Sequence, residues 1–210
     1  MKRIVYILLL FCIYTTSLTA RTPIRQWFTD MPDSIMPLLT KNNRLDFIDF
    51  IDSHMDAIVT NRLDGKSRMT QLTEDYLHIE YTQSSSVTMK LLPTADTTQI
   101  LCMVTTTNTA ARDSRITFFS KDWQSLKTSK FFIEPQKEAF LTNELNDSAQ
   151  HAREKLDIHL KSYTLSPQDC SLTCHYTTLD YLSSADKEYV KPYIHEELIY
   201  DWNGKKFVLK

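Results

Sequence analysis

The sequence predicts an α+β fold: N-terminal helices packed on antiparallel β-sheet, a meander plus a C-terminal hairpin. Three observations carry this. Apolar residues between Asn43 and Ile58 recur with the helical period, and from Met69 onward the period drops to two over β-branched and aromatic runs. Near the end, Asn203-Gly204 sits between two alternating runs, among the strongest local hairpin signals.

In chain order, "MKRIVYILLLFCIYTTSLTA" has basic residues, an apolar run and a small residue at Ala20. That is the order of a secretory signal peptide. The run is shorter than the roughly 20 apolar residues of a membrane span. Residues 1–20 are therefore expected to be removed, leaving 21–210 as one domain, with a candidate internal subdivision near 134–155. No transmembrane segment is expected after cleavage, and the protein is expected to be exported, either periplasmic or secreted. Cys12 follows Phe11 rather than a small residue, which disfavours a lipid anchor.

"TPIRQWFTDMPDSIMPLL" offers Thr22 as a helix cap and Pro23 in the first turn, where a missing N–H costs least. Pro32 and Pro37 then break the segment. A second helix is expected from an Asn43 cap, with Asp46 in its first turn. Its apolar face is Phe47, Phe50, Ile51, Met55 and Ile58, and it stops near Gly65. "YLHIEYTQ", "SVTMKLLP", "TQILCMVTTT" and "SRITFFSK" read as four successive strands whose connections are too short for helical crossovers. "KEAFLTNELNDSAQHAREKL" reads as a helix. "DIHLKSYTL" and "CSLTCHYTT" read as a strand pair around Ser166-Pro167, and "SADKEYVKPYI" as a short helix capped by Ser184. "ITFFSKDWQSL" and "LIYDWNGKKFVL" echo one another faintly, a pattern compatible with two similar sheet units.

Removing Lys2 and Arg3 leaves 22 basic side chains against 26 acidic ones, interspersed, for a formal charge of −4. A nucleic-acid binder concentrates positive charge on one face, so no nucleic-acid partner is expected. Only Gly65 and Gly204 occur. Phosphate-cradling loops and dinucleotide fingerprints need clustered glycines, and no G-x-S-x-G elbow is present. No cofactor and no catalytic residue is identified.

Three cysteines survive processing: Cys102, Cys170 and Cys174. Residues four apart in a strand lie about 13 Å apart, so Cys170 and Cys174 should not bond each other. Either could meet Cys102, and buried free thiols are the favoured state. Cys174 and His175 point to opposite faces of a strand, and no second ligand pair completes a zinc site. No metal is expected.

Asp46, Asp49, Asp52 and Asp56 fall within about 120° on a helical wheel, opposite the apolar face. A one-sided apolar helix needs a polar side, so a solvated face is the favoured reading of this stripe. His54 reads as a boundary residue. The candidate interaction surface comprises Asp49, Asp52 and Asp56 with the strand aromatics Trp123, Tyr200 and Trp202. Aromatics left outside the core would form a patch suited to a protein or glycan of the cell envelope.

"MPDSIMPLLTKNNRLDFIDFIDSHMDAIVTNRLDGKS", followed by "MTQLTEDYLHI" and "MKLL", resembles an exported Bacteroidetes family, domain of unknown function 3256. The resemblance covers most of the mature chain. It implies an envelope or secreted location in a Gram-negative anaerobe and assigns no site residue. The favoured function is a non-catalytic interaction module. The alternative is a small hydrolase whose site is assembled from distant residues.

Overall fold

The computed structural model describes residues 21–96 and 98–210. The signal-peptide expectation for residues 1–20 lies outside the described residues. Helix α1 (Ile24–Asp30) buries Ile24, Trp27 and Phe28. Its cap is Pro23, one residue later than expected, whose carbonyl accepts from the Gln26 and Trp27 amides.

Helix α2 (Lys41–Asp52) starts earlier than its expected Asn43 cap allows. The Thr40 hydroxyl accepts from the Asn43 amide at 3.1 Å, and the Asn43 side chain accepts from the Thr40 amide at 3.0 Å. This reciprocal box satisfies two free donors at once. It places Asp46 in the helix interior, where it caps nothing. The helix also ends early, because Ile58–Thr60 leaves it to form strand β1 against Lys66–Arg68. Long-range pairing of a β-branched run overrides the continued helical period.

Seven antiparallel strands follow in simple order: β1 (Ile58–Thr60), β2 (Lys66–Leu72), β3 (Tyr76–Thr82), β4 (Ser85–Pro93), β5 (Gln99–Thr107), β6 (Asp113–Phe119) and β7 (Ser125–Leu126). The expected meander is present, extended by β1, β2 and β7. The predicted helix over 137–156 contracts to a 3-10 turn at Lys137–Phe140 and helix α3 (Asp147–Glu154), capped by Asn146. A second antiparallel sheet contains β8 (Ser162–Leu165), β9 (Ser171–His175), β10 (Glu197–Trp202) and β11 (Phe207–Leu209), in the order β11-β10-β9-β8. Between β9 and β10, helix α4 (Ser184–Val190) is capped by Ser183, one residue before the expected Ser184. Gly204, with φ 85°, allows the β10–β11 turn, and the Asn203 side chain accepts from the Lys205 and Lys206 amides. The two echoing stretches both form hairpins, β6–β7 and β10–β11, within sheets of unequal size.

The large sheet is covered on both faces, and its strands alternate accordingly. Leu77, Ile79, Val87, Met89, Leu91, Leu101 and Met103 join the core with α1 and α2. Tyr76, Leu92, Ile100, Cys102, Val104, Ile116 and Phe118 join the core with the small sheet. Strand β8 lies across the large sheet. At one end the Lys161 carbonyl accepts from the Ser114 amide, and the Tyr163 amide donates to the Ser114 hydroxyl, both over β6. At the other, the Pro167 carbonyl accepts from Lys90 of β4. Among the described residues Cys102, Cys170 and Cys174 are free; Cys102 and Cys174 are buried, and burial pushes the Cys174 thiol up to about 12.

Lys90 itself is buried beneath this crossing. Its ammonium lies 3.0 Å from Asp75, 3.4 Å from the Pro167 carbonyl and 5.9 Å from the Tyr76 ring centroid. Asp75 is half-exposed and can be hydrated alone. Lys90→Met keeps the volume and removes a buried charge, so it is expected to shift stability by less than about 1 kcal/mol or to raise it. Lys90→Ala opens a cavity and is expected to cost about 2–4 kcal/mol. Urea unfolding of both variants checks this; equal losses would show that the ion pair, and not the packing, holds the site.

Candidate functional site

The structure disperses the residues singled out in the sequence. Asp49 and Asp52 are exposed on α2, and Asp52 pairs with Arg25 at 3.0 Å. Asp56 lies beyond the helix and pairs with Arg68 across the β1–β2 hairpin at 3.0 Å. The stripe of carboxylates is therefore not one helical face. His54, also past the helix, is exposed with φ 56°. Trp123 is buried, edge-on to Trp27 and against Phe119. Tyr200 is buried against Phe132. Trp202 is half-buried, and its indole N–H donates to the Pro93 carbonyl at 2.6 Å. These aromatics join the two sheets or fill their cores and form no outward patch, because the faces that carry them are covered. Asp49→Asn and Asp52→Asn are each expected to change stability by less than about 0.5 kcal/mol, as exposed positions with weak or no pairing do. Thermal unfolding of the two variants measures it, and a larger loss would give the stripe a structural role.

What the structure assembles instead is a polar groove of about 240 Å³ along β8. Its floor follows from strand register. On the face toward the small sheet, Glu80, Ser86, Thr106 and Ser114 align across β3, β4, β5 and β6, with Glu80 at the exposed β3 end; the next row is His78, Thr88, Val104 and Ile116; the next is Tyr76, Lys90, Cys102 and Phe118. The rows turn from hydroxyl to apolar where β8 crosses, since only the side chains under the small sheet are sealed from water. The groove occupies the polar side of that boundary. Ser162, Tyr163, Thr164 and Leu165 form its wall, and Gln71, Asn108 and Arg112 its rim.

His78 is the titratable group of the floor. Its Nδ1 lies 2.8 Å from the Thr88 hydroxyl. Burial lowers its pKa, opposed by the charge of Glu80, so the ring is neutral at pH 7. Tyr76 closes the floor and is itself buried, which raises its phenol pKa. Arg112 is exposed, and its guanidinium makes no ion pair or hydrogen bond among the described residues; its backbone carbonyl accepts from the Thr177 hydroxyl. No aspartate or glutamate lines the groove. The switch from apolar to hydroxyl side chains at alternate positions of "QILCMVTTT" and "SSVTMKLLP" is visible in the sequence and was the signal that could have found this floor.

A second constellation stands on the outer face of the small sheet. His175 Nε2 lies 3.0 Å from the Thr164 hydroxyl, and His175 Nδ1 lies 2.9 Å from a Glu197 carboxylate oxygen. Hydroxyl, imidazole and carboxylate in this order are the parts of an activated nucleophile. Thr164 and Glu197 are both exposed on an open sheet face, and cross-strand pairing alone accounts for the contacts: His175 is directly opposite Glu197. Among the described residues no cluster of three His, Cys, Asp or Glu could hold a metal, and no helix is long and apolar enough to cross a membrane.

A family model described as "Protein of unknown function (DUF3256)" matches residues 15–207. No curated protein matches the chain significantly. Among solved structures, a domain of an uncharacterized protein from Porphyromonas gingivalis W83 is similar, with a TM-score of 0.78 and 25% identity over 89% of this chain and 98% of that one.

Proposed function

From the premise that the chain belongs to the DUF3256 family of proteins of unknown function, we propose that it is an exported, non-catalytic binding module. It works in the periplasm or outside the cell, and its partner is a protein or glycan of the envelope. The groove along β8 carries this reading: hydroxyl, amide, imidazole and guanidinium groups converge on it. The basic, apolar and small segments of residues 1–20 support export. Similarity to a Porphyromonas gingivalis protein supports an origin in the same group of bacteria.

The test is cross-linking of tagged protein in its native envelope, followed by mass spectrometry. One protein or glycan recovered near stoichiometry, lost on substitution of groove residues, is the expected result. A monomer with no partner would sink the reading.

The hydrolase alternative is favoured by one observation, the Thr164–His175–Glu197 contacts. In it Thr164 would attack, His175 would take its proton and Glu197 would hold the ring. An acyl-transfer site also needs donors for the developing oxyanion, and the Tyr163 amide beside Thr164 is already taken by the Ser114 hydroxyl. A fluorophosphonate probe is expected to leave the protein unlabelled. Labelling at Thr164 that disappears in His175→Gln would replace the binding reading with the enzymatic one.

A further inference from the structure

Resting on the groove as a ligand site, we propose that it takes one anionic sugar unit, a hydroxylated ring bearing a carboxylate or phosphate group. Size is the first argument. About 240 Å³ lies below the roughly 300–1,000 Å³ of sites for drug-sized ligands. At roughly 30 Å³ per water it displaces about eight waters, room for about one sugar ring.

The lining chemistry is the second. Ser86, Thr88 and Thr106 present hydroxyls, of which Thr88 already meets His78 and Thr106 meets Ser114, each keeping further hydrogen-bonding capacity, and the Gln71 and Asn108 amides offer both donors and acceptors. Sugar hydroxyls also donate and accept, so each can be matched without leaving a buried polar group unpaired. Free phosphate carries only one or two O–H donors at neutral pH and would match fewer of the acceptors of this floor than a polyhydroxylated ring.

Charge is the third. Arg112 is the only permanent cation of the lining and has no acidic partner among the described residues. A planar guanidinium at the rim of a partly enclosed site pairs bidentately with a carboxylate or phosphate. The chain is acidic overall, so this cation is local and not part of a diffuse basic surface. The His78 ring, whose neutral form burial favours, has Nδ1 facing Thr88 and leaves Nε2 for a ring hydroxyl.

The experiment is an NMR titration of the chain from Arg21 to Lys210 with glucuronic acid, glucose 6-phosphate, glucose and inorganic phosphate. At least one of the two acidic sugars is expected to shift the amides of His78, Thr88 and Arg112, binding at least tenfold more tightly than glucose or phosphate. Which one binds distinguishes a uronic-acid from a phosphosugar source. Arg112→Gln is expected to remove that tenfold preference while leaving the amide spectrum away from the groove unchanged. Glucose binding as tightly as the acids would overturn the anionic part of the proposal. Phosphate binding as tightly would overturn the sugar part. Absence of shifts with all four probes, beside a stoichiometric envelope partner captured by cross-linking, would remove this inference and leave the binding module standing.

Discussion

Arg44→Ala is expected to destabilise the protein by about 3–5 kcal/mol. The Arg44 side chain is fully buried, and its guanidinium donates to Asp33 at 2.9 Å and to the carbonyls of Leu39 and Met31. It thereby holds the proline-broken segment between α1 and α2, whose backbone has no helix or strand ladder of its own. Alanine would leave two carbonyls without a donor and open a cavity the length of the side chain. Asp33 would keep only Arg62, at 2.6 Å. Arg44→Lys should recover less than half of the loss, because one ammonium cannot span three acceptors that a flat fork reaches.

The pair also leaves a pH signature. Arg44 holds the Asp33 carboxyl below the usual carboxylate range, chiefly by its hydrogen bond and against a smaller effect of desolvation. A depressed carboxylate stabilises the fold above its unfolded pKa of about 3.9, and this contribution disappears as pH falls through the lower folded value. Urea unfolding at pH 7 and at pH 3 should therefore show a smaller gap between wild type and Arg44→Ala at the acidic pH. A loss below about 1 kcal/mol at pH 7 would refute the assignment.

Phe132→Ala is expected to cost about 3–5 kcal/mol. Phe132 is buried in an irregular stretch, and its ring meets Tyr163, Tyr200 and Phe207 nearly at right angles, with centroids 5.4, 5.2 and 6.1 Å away. Edge-to-face pairs of this kind contribute about 0.5–1.5 kcal/mol each beyond area burial. The three partners come from β8, β10 and β11, so one side chain fills the centre of the small sheet's inner face. Hydrogen exchange should accelerate in β8–β11 more than in α1, α2 and β3. Uniform acceleration, or a loss under about 1 kcal/mol, would show that this core does not depend on the ring. Phe132→Leu should retain most of the stability.

The central strands are legible because β4 and β5 are nine-residue runs rich in apolar and hydroxyl side chains, bounded by polar turns too short for helical crossovers. Strand β2 is obscured because its outward side chains, such as Lys66, Arg68 and Thr70, are polar, and of its two buried residues, Ser67 and Met69, only Met69 is apolar. The cap of α2 was misplaced because Asp46 and Asn43 both satisfy local rules, whereas the Thr40–Asn43 box wins by closing two hydrogen bonds. Helix α2 ended early for a reason no window of local residues contains: Ile58–Thr60 has a partner strand. The burial of Phe132 is not legible in the sequence, because an irregular segment has no period from which burial can be read.

The candidate site was divided in the same way. The hydroxyl residues of its floor, Ser86, Thr88 and Thr106, stand in plain view at the ends of β4 and β5. Their meaning depends on β8, which arrives more than fifty residues later and decides which part of the sheet stays open. Alternation likewise set Tyr200 and Trp202 on one face, and only the fold shows that this face is covered.

That crossing strand has an evolutionary consequence. Ser86, Thr88, Thr106 and His78 belong to neither apolar core, yet they rest on the rigid strands that build both. Selection can exchange them with little burden on foldedness, so recognition can diverge between descendants while the scaffold is inherited intact.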